Sequence, residues 1–347
     1  PEWNTAALGP RKLGFANTLA SKLWDQYAQG GFIYRGQGKW YPGEQLPRWA
    51  LSMYWSHDQK PIWKNPQLFA SENDQLNYTN EDSKKFIKRL CNHLGLPANN
   101  YFEGKEDAWY YIWRESQLPL DQKIEDLDID DIMERNRLKR VFNQGLKNVV
   151  GYALPITPNY KSNQKEIPWL TSQWKTRDGF LSLLPGDSPM GYRLPLNSLS
   201  HHVPKSSQTK EYFSQELIRT TLCVETRDVK RASGPEAELQ NGGKQQFLYV
   251  FMPPLDSLDD YLKLLNAVEK TAKELKYKIV LEGYPPPRDP SLKVLQITPD
   301  PGVIEVNIQP VKTWQELVSN TEFLYRSAFE SKLTAEKFMM DGKHTGT

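Results

Sequence analysis

The chain has 347 residues, room for two domains or one large one, and its 44 Lys and Arg against 42 Asp and Glu leave a net charge of +2. That balance builds no field for nucleic acid, and no apolar run is long enough to cross a bilayer, so neither nucleic acid nor membrane is expected as a partner. Two cysteines, Cys91 and Cys223, give no disulfide framework, which points to a reduced, cytoplasmic setting.

Residues 1–204 are rich in Trp, Tyr, Pro and Asn and carry every Trp except Trp314. Apolar spacing predicts helices over Leu13–Gln29, Glu81–Leu94, Lys105–Ser116 and Asp128–Leu146. In the last of these, Ile129, Ile132, Met133, Leu138, Val141 and Phe142 recur at roughly helical intervals. RGQGKWYPGEQLPRW (Arg35–Trp49) crowds glycines, cations and aromatics into one stretch, without the spacing of a P-loop. Two readings stay open: Lys39, Glu44 and Arg48 line a substrate cleft with Trp40 and Tyr41, or the aromatics anchor a compact loop. Pro155–Pro168 and Pro185–Pro204 read as loops. Within the second, Asp187 and Arg193 either clamp a ligand or form a buried pair that pins the loop. His201 and His202, with no third His nearby, read as exposed side chains rather than a metal site.

From about Lys205 the pattern changes. A strand is expected over Glu216–Thr226, then a polar loop over Asp228–Lys244 and a strand over Gln246–Met252, ended by Pro253-Pro254. Leu255–Lys276 carries an apolar stripe of Leu258, Tyr261, Leu262, Leu265, Val268, Ala272 and Leu275 and predicts a helix. Strands follow at Lys278–Gly283, Val294–Thr298 and Val303–Ile308. A final helix starts at Thr313, with Glu316 completing a capping box. Mainly antiparallel, curved strands with helices on one side define an α+β protein.

LQITPDPGVIEVNIQP (Leu295–Pro310) is the most informative stretch. Period-two alternation puts Ile304, Val306 and Ile308 on an apolar face and Val303, Glu305 and Asn307 on the other, after a Pro301-Gly302 turn. Glu225, Glu282 and Glu305 stand on three separate predicted strands, with Asp300 in the turn before the third. Carboxylates are the ligands a hard cation such as Mg²⁺ takes; the alternative is outward-facing surface side chains. Phosphate chemistry needs cations, for which Arg227, Arg288, Lys337 and Lys343 are candidates, and His344 in DGKHTG could touch a phosphate or a leaving group. Arg288 with Asp289 also reads as a surface ion pair. Cys223, in an apolar strand, reads as core rather than nucleophile.

Pro-Gly-x-x-Glu-x-Asn is similar to the strand of glutamine synthetase-type ligases that carries a Gly-Gln-x-Glu metal ligand. Together with Gly36–Leu51, Pro185–Leu199, Thr221–Asp228, Tyr249–Leu255, Glu282–Pro290 and Glu336–Thr347, it makes the chain resemble an amidoligase family of that superfamily, often fused to an upstream transglutaminase-like domain. The resemblance implies an N-terminal region over 1–204 and a glutamine synthetase-like catalytic half over 205–347, cut at a Gly-rich nucleotide loop, so that the chain is expected to be a fragment. It implies ATP and Mg²⁺ as cofactors, carboxylate and amine substrates, and amide formation through an acyl phosphate. Glu225, Glu282 and Glu305, with Asp300, would hold metal. Arg227 and Arg288 would stabilise phosphate or the substrate carboxylate, and Asn307 would orient a ligand. Lys39, Arg48, Lys343 and His344 would face the nucleotide. The chain departs from the synthetase pattern in three places: Val303 replaces Gln, LQITPD lacks a further Glu, and Glu225-Thr226-Arg227 stands where Glu-x-Glu is common. A non-catalytic peptide- or glycan-binding module, using the aromatic-rich first part, is the alternative.

Overall fold

The structure is a computed structural model that describes residues 7–42, 44, 47–71, 73–121, 132–160, 168–201, 212–214, 216–228, 245–336 and 341–343. In chain order the main elements are α1 (Pro10–Tyr27), β1 (Phe32–Gln37), β2 (Trp49–Ser56), α2 (Asn80–His93), β3 (Phe102–Glu106), α3 (Ala108–Glu115), α4 (Ile132–Gln144), β4 (Val149–Pro155), β5 (Leu181–Leu183), β6 (Thr221–Asp228), β7 (Gln246–Met252), α5 (Leu258–Leu275), β8 (Ile279–Gly283), β9 (Leu292–Asp300), β10 (Val303–Asn307) and α6 (Trp314–Glu330). The protein is mixed α+β with mainly antiparallel strands, as the sequence pattern implies.

The described residues form two compact units, one from residues 7–66 and 288–343, the other from residues 67–228 and 245–287. Each unit draws on both sides of the 204/205 sequence boundary. The reason for the first lies in pairing: β2 pairs with β1 on one side and with β9, far along the chain, on the other.

In the first unit the strands run β10–β9–β2–β1, all antiparallel. Met53, Leu51, Leu295 and Ile297 share a core with α1 residues Leu13, Ala16, Leu19, Ala20 and Leu23. Ile304, Val306 and Ile308 pack on this core with Phe323 and Leu324 of α6, as the alternation in the sequence predicts. Gly302 closes the β9–β10 hairpin at φ 73°, a value glycine adopts at little cost. Thr313 caps α6 through a reciprocal capping box with Glu316, as expected.

In the second unit the order is β8–β7–β6–β4–β3–β5. β7 and β8 are parallel and joined through α5, and β3 and β5 are also parallel. α2 packs on α5 and on β4 and β6, and Thr226 Oγ1 meets Asn80 Oδ1 at the start of α2 at 3.0 Å. The opposite face is covered by a short 3₁₀ turn, Met190–Arg193. That turn lies so close that a Cβ on Gly191 would stand 2.3 Å from the Phe251 ring, and one on Gly151 would stand 2.8 Å from Met190 Sδ. The glycines at these places let a loop replace a helix as the cover.

Several expectations shift. Residues 102–106, reaching into the front of an expected helix, form β3, and Asp107 accepts from the Trp109 and Tyr110 amides so that α3 begins at Ala108. The strand expected from Glu216 begins at Thr221. β1, β2, β4 and β5 were not anticipated. The helix expected over 128–146 is found as α4, its first residues lying outside those described, as do most of the 228–244 loop, His202, Lys337 and His344.

Candidate functional site

The expected site residues fall into two groups, one in each unit. In the second unit, Glu225 and Arg227 alternate along β6 and so share a face, and the register Cys223↔Phe251↔Glu282 puts Glu282 of β8 on it too. Arg227 Nη1 donates to Glu225 Oε1 at 2.5 Å and to Glu282 Oε1 at 3.0 Å, while Nη2 donates to Glu282 Oε2 at 2.5 Å. The guanidinium lies 3.9 Å from the centre of the Tyr249 ring, a cation–π contact that helps carry a buried charge. All three charged side chains are buried. Burial alone would lower the Arg227 pKa, but the charges of Glu282 and Glu225 more than reverse this and hold it above its ordinary value. The Met190 amide donates to Glu225 Oε1 at 2.8 Å. The Pro185–Leu199 stretch is thus tied to the carboxylate through its backbone.

In the first unit, the β1–β2 hairpin extends past its ladder. Gly38 N donates to Arg48 O at 2.6 Å, and Arg48 N to Lys39 O at 2.9 Å. This continuation aims Lys39 and Arg48 at the β9–β10 hairpin. Lys39 Nζ lies 3.0 Å from Glu305 Oε2, which also accepts from Thr298 Oγ1 at 3.2 Å. Arg48 binds Glu44 Oε1 through Nε and Nη2 at 2.9 and 2.7 Å and pairs with Asp300 through Nη1. Its guanidinium also lies over the Tyr41 ring at 4.4 Å. Burial lowers the Arg48 pKa, and the bonds to Glu44 and Asp300 raise it by more. The hydrogen bond to Glu305 raises that of Lys39. Buried Lys12 completes the turn by donating to the Asp300 carbonyl at 2.9 Å. Of the two readings of Arg35–Trp49, the geometry keeps parts of both: Tyr41 holds Arg48, while the Trp40 ring is exposed.

The remaining expected residues join neither group. Arg288 is exposed, and Asp289 bonds Ser291 instead of forming the expected pair with it. Asn307 is exposed at the end of β10. Lys343 pairs with Asp341 at 3.3 Å, and His344 lies outside the described residues. Asp187 and Arg193 do not pair with each other: Asp187 binds Arg137 and Arg140, and Arg193 binds Glu106. Sequence reading missed Arg137, Arg140, Glu106 and Tyr111; the only signal was basic side chains on α4 at helical spacing. Cys91 and Cys223 are buried core, as expected for Cys223.

The carboxylate groups differ in their fitness for a cation. Among the described residues, no group of three or more His, Cys, Asp or Glu is arranged to hold a metal ion. Between Glu225 and Glu282 the Arg227 guanidinium already takes the cation's place. Glu305 and Asp300 are hard oxygen donors on a rigid hairpin, each one-third exposed at the side chain. Mg²⁺ commonly takes one or two carboxylates and fills its octahedron with water and phosphate; at Glu305 and Asp300, as at Glu225 and Glu282, cationic side chains already lie against the carboxylates, Lys39 at 3.0 Å from Glu305 and Arg48 paired with Asp300. No helix is long and apolar enough to cross a membrane among the described residues.

Carboxylates on strands, each met by a guanidinium or ammonium group, mark both units of this α+β protein. A family model described as "Putative amidoligase enzyme (DUF2126)" matches residues 1–214 and 202–347, so the chain belongs to that family. The description supports a ligase-type function. No match was found among curated proteins or among solved structures.

Proposed function

We propose that the chain acts in ATP- and Mg²⁺-dependent joining of a carboxylate to an amine, as part of a glutamine synthetase-like ligase paired with a transglutaminase-like domain. The observation that carries this reading is the Glu305–Asp300 hairpin facing Lys39 and Arg48, in a member of an amidoligase family. In the reaction a carboxylate oxygen attacks the γ-phosphorus of ATP, and ADP leaves. The amine nitrogen then attacks the acyl carbon, inorganic phosphate leaves, and the nitrogen loses a proton. Glu305 and Asp300 would hold Mg²⁺, whose charge would offset that on the phosphoryl oxygens. Lys39 and Arg48 supply further positive charge beside them, and exposed Arg288 and Lys343 are available for phosphate or substrate carboxylate. Thr298 orients Glu305 through its hydroxyl, and Asn307 is on the same strand face for a ligand. Arg227, clamped by Glu225 and Glu282, positions β6 and β8 rather than reacting.

The test is calorimetric titration of Mg²⁺ with a non-hydrolysable ATP analogue into the parent chain and Glu305→Gln, with hydroxylamine trapping of any acyl phosphate as a second readout. Metal-dependent binding that Glu305→Gln removes supports the reading; unchanged binding sinks the assignment of Glu305.

A second reading is favoured by one observation. Trp109, Ile112 and Trp113 of α3 are exposed, and exposed Trp side chains stack on sugars and pack on peptides. Binding in a peptide or glycan screen that is lost in Trp109→Ala/Trp113→Ala, with no nucleotide binding, would favour it.

A further inference from the structure

The second unit holds another ionic network, where α3, α4, β3 and the 187–193 stretch meet. Glu106 and Asp187 supply two negative charges, and Arg137, Arg140 and Arg193 three positive ones. Arg137 donates to Asp187 Oδ2 through Nε and Nη2 at 2.9 and 2.8 Å. Arg140 Nη2 donates to Asp187 Oδ1 at 2.9 Å, and Arg193 Nη2 donates to Glu106 Oε2. These bonds leave the centre incomplete. Arg193 Nη1, Arg140 Nε and Nη1 and the Tyr111 hydroxyl are buried donors with no hydrogen-bond partner among the described residues, and Glu106 Oε1 is a buried acceptor without one. Arg193 is 3% exposed and Tyr111 0%. Arg140 Nη1 stands 3.7 Å from Glu106 Oε1, beyond hydrogen-bonding distance.

Unpaired donors on buried guanidinium groups are costly, and so is an uncompensated positive charge. Both costs fall if an anion sits at the centre. Arg presents its donors in a planar fork that matches carboxylate and phosphate oxygens. The Tyr111 hydroxyl belongs to the same electrostatic neighbourhood: burial, then the charge of Glu106, pushes its pKa up to about 12 against the lowering effect of Arg193, Arg140 and Arg137. It therefore keeps its proton and remains a donor. Arg137 and Arg140 are each one-fifth exposed at the side chain, whereas the unpartnered atoms themselves are buried.

We propose that Arg140, Arg193 and Tyr111 form a binding site for a small oxyanion, the carboxylate or phosphate group of a ligand. The site stands independently of the ligase reading, because it uses none of the same residues.

The test is calorimetric titration of inorganic phosphate, and separately of acetate, into the full chain at constant ionic strength, with thermal unfolding as a second readout and chloride as the control. The site predicts saturable binding of one of these anions and a rise in the unfolding midpoint. Tyr111→Phe keeps the ring that packs on Leu138 and Val141 and should weaken binding by about tenfold through loss of one donor. Arg140→Met should abolish it. Binding of phosphate alone identifies a phosphoryl site, and binding of acetate identifies a carboxylate site. No saturable binding of either anion, or stabilisation that chloride reproduces and Tyr111→Phe leaves unchanged, overturns the proposal.

Discussion

Replacing Arg227 by Met should expose how the second unit tolerates charge in its interior. The side chain makes three bonds of 2.5, 3.0 and 2.5 Å to Glu225 and Glu282. Removing one partner of a buried ion pair costs about 3–5 kcal/mol, because the other charge stays buried without compensation. Here one guanidinium serves two carboxylates, so about 5 kcal/mol is expected at pH 8, the upper end of that range. The loss should also become pH-dependent. Without Arg227, burial and mutual repulsion raise the pKa of both carboxylates. The folded variant then binds more protons than the unfolded chain, so its stability falls as pH rises and recovers on acidification toward pH 5. The recovery should approach about 1.4 kcal/mol per pH unit for each carboxylate while it titrates. Hydrogen exchange of the β6 and β7 amides between pH 5 and 8 reads this unit directly. Arg227→Met/Glu225→Gln/Glu282→Gln should regain much of the loss, since replacing a whole buried ionic group is often near neutral. A loss under about 1 kcal/mol with no pH dependence, or a triple variant no better than the single, would refute the argument.

Gly151→Ala should destabilise by about 1–3 kcal/mol, the range for overpacking, because its Cβ would meet the Val224 carbonyl oxygen at 2.7 Å as well as Met190 Sδ; urea unfolding measures this. Burial pushes the Cys91 thiol up to about 12 and the Cys223 thiol well above its ordinary value, so neither should be alkylated at pH 8 in the native protein, and both should react in denaturant, as read by intact mass. Burial raises the Asp82 pKa, but bonds from the Tyr277 hydroxyl and from Thr79 N and Oγ1 outweigh it and hold the carboxyl below its ordinary value. The stability this adds is complete above the unfolded pKa of about 4 and is lost as pH falls through the folded value. Asp82→Asn should therefore cost about 1 kcal/mol at pH 7, as for loss of a cap, with the gap closing in acid-titrated unfolding curves.

Legibility followed local periodicity. The apolar stripe of α5, the Thr313–Glu316 capping box and the Ile304, Val306, Ile308 face of β10 could each be read because a helix stripe or an alternating strand leaves its period in adjacent residues. β2 could not. WALSMYWS is buried over Ala50–Met53 without a break, so no alternation marks it, and its partners lie on both sides of the sequence boundary. β3 was absorbed into a helix because the stop signal at Asp107 is a capping side chain whose role depends on where the strand ends. The same held for the sites. Glu305 was legible as a carboxylate on a strand, but not its contact with Lys39, 266 residues away in sequence.

By itself the sequence determined the α+β class, the apolar and polar faces of the last hairpin and the membership in an amidoligase family, because these depend on residues close together or on long matched stretches. Only the tertiary structure decided the partners of each charge. Glu225 and Glu282 meet over Arg227 because β7 sets them two strands apart on one face, and Arg193 and Asp187 turn to Glu106 and to α4 because the Met190–Arg193 turn covers that same face. Ion pairing in the interior is set by which strands neighbour each other, and strand order is a long-range property that the local pattern of side chains does not encode.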